Sequence, residues 1–269
     1  MNFLSKYKNI ILIVIAIIGC IILSYFVNKY KTINTLSIAK NYKKQEIVIS
    51  RYNENLQWIK NEPFNKHPII IYNKGINNNY VNTSNIIKTV NLPNVGRESH
   101  TYLYHIINNY HNLADVTIFL PGSSDLINKY DRVKKMVEKV EQTNNTVLSC
   151  VYDPLILKNQ YNFTIDEYFS SHVKNKHINQ NGIIKKSSIR PYGKWFEKTF
   201  VNGEKNEYVS YCGIISISKK NILQKPKKYY EKLLNELDTH HNPEVGHYLE
   251  RSWYSIFYPY DSSSTFLTN

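Results

Sequence analysis

The chain has 269 residues, of which 42% are hydrophobic, 13% aromatic and 20% charged, with nine Gly, nine Pro and three Cys. That composition excludes wholesale disorder, collagen-like repeats and a disulfide-dense mini-scaffold. The formal net charge of +13 has three available sources: a Lys-rich solvated surface, attraction to anionic lipid, and nucleic-acid binding. Its basic residues are spread along the chain, with no zinc-knuckle spacing and no RNP-like stretch, so nucleic acid is set aside as a partner.

A short tail over 1–9 precedes an uncharged run from Ile10 to Val27. Eighteen such residues make a helix of about 27 Å, close to the thickness of a thin bilayer's hydrocarbon core. The run is longer than a secretory h-region and lacks a small-x-small exit, so it predicts an uncleaved single-pass anchor over 10–27. Flanking lysines are nearly balanced (Lys6 and Lys8 before, Lys29 and Lys31 after), and the positive-inside rule barely chooses an orientation. Sequons at Asn82, Asn144 and Asn162 lean toward a lumenal or extracytoplasmic C-terminal domain. In such a lumen Cys150 and Cys212 are either disulfide-bonded or two buried thiols.

Residues 28–45 read as a polar stem, 46–260 as one α/β domain and 261–269 as a C-terminal tail. Short apolar runs at 46–50, 68–72, 86–90, 115–120 and 146–152 predict strands, and 208–218 predicts a later one. Amphipathic stretches at 96–110, 125–140, 226–237 and 244–257 predict helices, the third opened by Pro226. A short helix is expected around Trp58. The polar stretch 153–194 is expected to form loops over one end of the sheet. This alternation implies a mostly parallel sheet flanked by helices.

In such a sheet ligands bind beyond the carboxyl ends of the strands. The first strand offers Arg51, Asn53 and Glu54 there, the second Asn73 and Lys74, and the fourth Ser123, Ser124 and Asp125. Between them Asn94, Arg97, Glu98 and His100 open a helix, where an Arg makes an anion site. The plainer alternative has Asn94 capping that helix and Glu98 favouring its first turn. Late in the chain Glu250 stands beside Arg251, one turn after His247. It is either a general base raised in pKa by burial or half of an ion pair with Arg251. His247 and Glu250 also have a metal-like i, i+3 spacing, though two ligands make no site. Trp58 and Trp253 are expected in the core, and Trp195 is the candidate for a stacking contact. Walker A, GxGxxG, GxSxG, HExxH and CxxC motifs are all absent.

Several of these strings together resemble an uncharacterised protein family: Arg51-Tyr52-Asn53-Glu54, Tyr72-Asn73-Lys74-Gly75, Leu92 to Glu98 with Tyr102-Leu103, Val116 to Gly122, and Gly246 to Trp253. More loosely, the family is similar to nucleotide-sugar-dependent glycosyltransferases of the glycosyltransferase-A-like α/β type, whose first strand ends in an Asn-Glu turn. That resemblance implies a nucleotide sugar as donor and a hydroxyl acceptor. It implies Arg51, Asn53 and Glu54 on the nucleotide side, Arg97 at the diphosphate and Glu250 as base. The metal-holding Asp-x-Asp of those transferases is missing, since Leu120-Pro121-Gly122-Ser123-Ser124-Asp125 stands in its place, which disfavours a divalent metal cofactor. The alternative is a catalytically inert membrane-anchored binding or structural protein with the same fold.

Overall fold

The structure, a computed structural model, describes residues 15–31, 44–169, 182–200, 207–237 and 239–268. The chain divides into two units, Met1–Lys40 and Asn41–Asn269. In the first, residues 15–31 form helix α1, with Ile15, Ile21 and Leu23 exposed. Among the described residues no helix is long and apolar enough to cross a membrane. Residues 10–14 of the apolar run and 32–43 of the stem lie outside the described residues.

The second unit is built on a seven-stranded sheet of order β3-β2-β1-β4-β6-β5-β7. Its strands are β1 (Gln45–Arg51), β2 (Ile69–Asn73), β3 (Ile86–Asn91), β4 (Val116–Pro121), β5 (Val147–Cys150), β6 (Ile215–Ser218) and β7 (Thr265–Thr268). β1 pairs parallel with both β2 and β4, and β2 with β3. β6 runs antiparallel between β4 and β5, and β7 pairs parallel with β5. β2 and β4 are buried at every position, because helices cover both faces; such strands read as unbroken apolar runs rather than as alternation. β3, at the edge, alone among these parallel strands has mostly exposed residues.

Period-two alternation splits each central strand between two cores. Val48, Ile70, Tyr72 and Phe119 face α2 (Arg97–Asn109), α5 (Tyr192–Thr199), α7 (Lys227–Asn235) and α8 (Glu244–Phe257). Ile47, Ile49, Ile71, Ile118 and Leu120 face α3 (Tyr130–Thr143) and the turns around Trp58 and Phe64. Two short helices complete the set, α4 (Pro154–Asn159) and α6 (Lys219–Ile222). Asp153 caps α4 by accepting from the N–H groups of Leu155 and Ile156, the expected way to satisfy a first turn.

Some elements differ from expectation. α3 begins at Tyr130, five residues later than the periodicity suggests, because 122–129 are drawn into turns over the sheet's end. The strand expected over 208–218 shrinks to Ile215–Ser218, since Tyr211–Gly213 form a 3-10 turn with Cys212 at φ 71°. Within 153–194, expected as loop, lie α4 and the start of α5; residues 170–181 are outside the described set. Asn94 does not cap α2. That place falls to Gly96, left-handed at φ 61° and without a side-chain cap. Thr265–Thr268, within the stretch read as a tail, pairs with β5.

Candidate functional site

The chain runs from β1 outward to β2 and β3, then returns past β1 to lay down β4 on the other side. That reversal is a topological switch point, where an α/β sheet opens a crevice beyond its strand ends. A cavity of about 400 Å³ lies there. Ser50 and Arg51 of β1, Lys74 after β2, Arg97 and Glu98 of α2, and Gly122 and Ser123 after β4 line it. Glu250 of α8 closes one wall.

Arg51 is buried and its guanidinium is committed to structure. It donates to Glu54 O (2.9 Å), Asn73 Oδ1 (2.6 Å) and both oxygens of Asn77 (2.6 and 2.9 Å). These bonds staple the ends of β1 and β2 to the loop that follows. Asn73 continues the net through Nδ2 to Asn77 O and Asn78 Oδ1. Gly75 is required within it, because a Cβ there would stand 1.9 Å from the Tyr52 carbonyl oxygen. Gly75→Ala is expected to lower stability by about 1–3 kcal/mol, the cost of forcing atoms into packed structure, read as a lowered urea midpoint.

Lys74 reaches across to α2, donating to the carbonyls of Val95 (2.6 Å) and Arg97. Gly96 and Arg97 are successive left-handed residues, at φ 61° and 53°. A left-handed arginine carries strain of about 1–3 kcal/mol, and the buried ammonium secures its carbonyl and that of Val95. Burial brings the Lys74 pKa down to about 7, with Glu98 opposing the fall and Arg97 adding to it. The Arg97 guanidinium lies 4.2 Å over the Tyr168 ring. Burial works against its charge, but Glu98, Tyr168 and Glu250 outweigh that and raise its pKa. Tyr168 is held by a neighbouring anchor: Glu244, wholly buried, accepts from Ile165 N (3.2 Å), Ser187 N (2.9 Å) and Arg190 Nε (2.9 Å).

Two largely buried carboxylates share the cavity and are displaced in opposite directions. Burial would raise Glu98, but Arg97, its own backbone N–H, Lys129 and Lys74 prevail and hold it below the usual carboxylate range. Glu250 is raised by burial and by Glu98, with Arg97, the Cys212 N–H and Arg251 only partly compensating. Glu250 Oε1 accepts from the Cys212 backbone N–H. Tyr102 OH donates to Gly213 O (2.7 Å), fixing the same turn from behind. Two carboxyl groups driven apart in pKa within one site are a recurring arrangement for acid–base work.

Among the residues expected at the site, Arg51, Glu54, Lys74, Asn94, Arg97, Glu98 and Glu250 line the cavity. Asn73 supports it from beneath, and Asn53 Oδ1 accepts from Asn77 (3.4 Å) in the adjoining loop. His100 is buried behind α2's first turn, its pKa lowered to about 3 by burial and then by Lys74. Asp125 is exposed on the turn after β4 and is not in the cavity wall. Arg251 points elsewhere, its guanidinium 3.3 Å from the Phe163 ring centroid and donating to His247 O (2.9 Å). Trp195 is corrected: it is buried among Tyr192, Tyr248 and Phe200, with Nε1 donating to Glu236 (2.8 Å), so no face is left for a ligand. Trp58 and Trp253 are buried, as expected. Cys150 and Cys212 are free thiols; Cys150 lies against Ser210 Oγ (3.4 Å) and Cys212 lines the cavity.

Lys129, Tyr168, Tyr211 and Asn242, which the sequence does not single out, are also in the wall, and so is His241, which the sequence offers with His240 as a further ligand or, more plainly, as a solvated loop residue. His241-Asn242 carried one usable signal, standing directly before the Pro243 that opens α8. Tyr168 carried none, because its place depends on Glu244 holding a distant segment. Among the described residues no group of three His, Cys, Asp or Glu side chains could hold a metal ion.

Comparison with known proteins matches residues 47–264 to a family described as "Protein of unknown function (DUF3431)". No curated protein matches the chain.

Proposed function

The chain belongs to the DUF3431 family, and on that premise we propose that it is a membrane-anchored transferase moving a sugar from a nucleotide sugar to a hydroxyl acceptor. The observation that carries the reading is the crevice at the switch point, in which two largely buried carboxylates, Glu98 and Glu250, stand among the cationic Arg97, Lys74 and Lys129; their opposed pKa displacements agree with it. In the proposed step the acceptor hydroxyl gives its proton to Glu250 as its oxygen bonds to the anomeric carbon. The bond from that carbon to the diphosphate breaks, and the diphosphate leaves with the electron pair. Arg97 and Lys129 stabilise that developing charge, as preorganised cations do in a water-poor site. A carboxylate raised toward the working pH is a stronger base than an exposed one.

The apolar run at 10–27 supports the anchor, and the exposure of Asn82, Asn144 and Asn162 supports a lumenal or extracytoplasmic domain. The absent Asp-x-Asp favours a second reading, an inert binding protein with the same fold. Both are tested by thermal shift of the full-length chain in detergent against nucleotide sugars and nucleotides, with and without Mn²⁺. A ligand at about 100 times its Kd stabilises by ~2.7 kcal/mol, so the expected result is a clear upward shift with one nucleotide class. Its dependence on Mn²⁺ decides whether a metal accompanies the diphosphate. A flat panel from folded protein removes the transferase reading in favour of the inert one.

A further inference from the structure

Asn242 is 4% exposed, lies in the cavity wall and has a fully secured backbone. Its N–H donates to His240 Nδ1 (3.1 Å) and its carbonyl accepts from Lys185 N (3.1 Å). Its Oδ1 lies 3.2 Å from His247 Nε2. Burial and the charges of Arg97 and Arg251 hold His247 neutral, with its pKa lowered to about 2. Among the described residues the buried Asn242 Nδ2 group has no hydrogen-bond partner, and neither has the buried Nε2 of its neighbour His241. An amide nitrogen carries two donors, and buried polar groups without partners are uncommon enough in native structures to need a reason.

The neighbouring guanidinium has partners, but its polar contacts are long. Arg97 lies 3.3 Å from His247 Nε2, 3.4 Å from Tyr168 OH and 3.6 Å from Glu98 Oε2. Charge-assisted bonds from a guanidinium to an anion are shorter, about 2.7–2.9 Å. His247 Nε2 also has one role only: if it donates to Asn242 it cannot accept from Arg97. Lys74 is turned away to two backbone carbonyls. One corner of the cavity therefore presents a guanidinium with long polar contacts and a carboxamide nitrogen without a partner, both donors, and His241 lines the same cavity. Backbone bonds fix the corner in place, as Gly96 N donates to His240 O (2.8 Å) and ties the 240–242 loop to the start of α2.

We propose that Asn242, with His241 and Arg97, forms a donor corner that binds a phosphate group of the cavity's ligand. The proposal rests on reading the cavity as a ligand site and gives Asn242 a recognition role. A phosphate fits because it offers several acceptor oxygens and a negative charge to a cluster of donors.

The test is calorimetric titration of inorganic pyrophosphate into the full-length chain in detergent micelles, wild type against Asn242→Asp. The variant keeps an oxygen for His247 and replaces the two N–H donors with a charged acceptor. The expected result is pyrophosphate affinity weakened at least ~10-fold, a change of about 1.4 kcal/mol, with a melting temperature of the unliganded protein no lower than wild type. Unchanged affinity in the variant, or no pyrophosphate binding by the wild type, overturns the proposal. If Asn242→Asp does not fold, Asn242→Ala carries the same test, because it removes the donors without adding charge. A flat nucleotide-sugar panel with pyrophosphate bound and lost in the variant removes the transferase reading and leaves the corner standing. A nucleotide-dependent shift that survives Asn242→Asp unchanged does the reverse.

Discussion

Glu250→Gln is expected to lose turnover by about 10²–10⁴-fold, the usual contribution of a positioned general base, while folding normally and still binding the nucleotide. The amide keeps an oxygen for the Cys212 N–H, so the local hydrogen bond survives. Stability should not fall, and its pH dependence has a definite sign. Burial first, and Glu98 second, raise the folded Glu250 pKa above the ordinary 4.5. Its favourable contribution is then fully present below the unfolded pKa and is lost as pH rises through the folded one. The Gln variant has no charge to bury, so relative to wild type it gains stability across that window. Melting temperatures between pH 4 and pH 8, paired with turnover on the donor found by thermal shift, check both halves. A variant losing about 3–5 kcal/mol at neutral pH, the cost of breaking a buried ion pair, assigns Glu250 to architecture and ends its role as base.

His105→Ala is expected to be the most destabilising single change away from the cavity. His105 and Glu46 are buried at 0% and 3% exposure, with Nε2 and Oε1 3.0 Å apart. Tyr72 OH lies 3.0 Å from the other ring nitrogen, and Thr117 Oγ1 donates to the same carboxylate oxygen (3.2 Å). The network bonds α2 to β1, β2 and β4 through the middle of one core. Removing the imidazole leaves a buried carboxylate stripped of that partner and opens a hole beside Phe119, for a cost of about 3–5 kcal/mol. A domain's whole stability is only ~5–15 kcal/mol, so the effect should dominate urea unfolding. The double change Glu46→Leu with His105→Leu should recover part of the loss, because it removes the buried carboxylate with its imidazole partner, while the Tyr72 and Thr117 hydroxyls still lose those bonds. No recovery at all would show that the buried carboxylate is not the source of the loss.

The sheet was legible because its central strands are sealed on both faces. Ile69–Asn73 and Val116–Pro121 carry apolar runs short enough to be strands and bounded by Gly or polar turns. The last helix was legible for the same kind of reason, with Val245, Leu249, Trp253 and Ile256 at helical spacing. What failed were segments whose conformation is set from a distance. Cys212 lies in a run that reads as strand, yet the turn there follows from Tyr102 pulling on Gly213 and Glu250 pulling on Cys212. Trp195 stands in a polar stretch and looks available, and only the arrival of α8 beneath it removes it from solvent. At the site the strand-end residues were found by topology alone. The sequence did not separate the stapling Arg51 from the loosely contacted Arg97, because that difference lies in how many oxygens each guanidinium meets.

The strand order also bears on how the molecule assembles in time. On one side of β1 the pairings are close in sequence, Ile47 with Ile69 and Ile69 with Ile86. On the other they are far more distant, Ile118 with Ser216 and Leu148 with Phe266. Local pairings close quickly, whereas distant ones wait for a long loop to be ordered first. The first three strands can thus form an early unit, and the crevice lies on the seam where the late half docks against it. Glu98 belongs to the middle of the chain and Glu250 to its last helix, so the two carboxylates meet only in the final stage of folding. A partly folded chain would carry a recognisable half-sheet and no cavity between the two carboxylates.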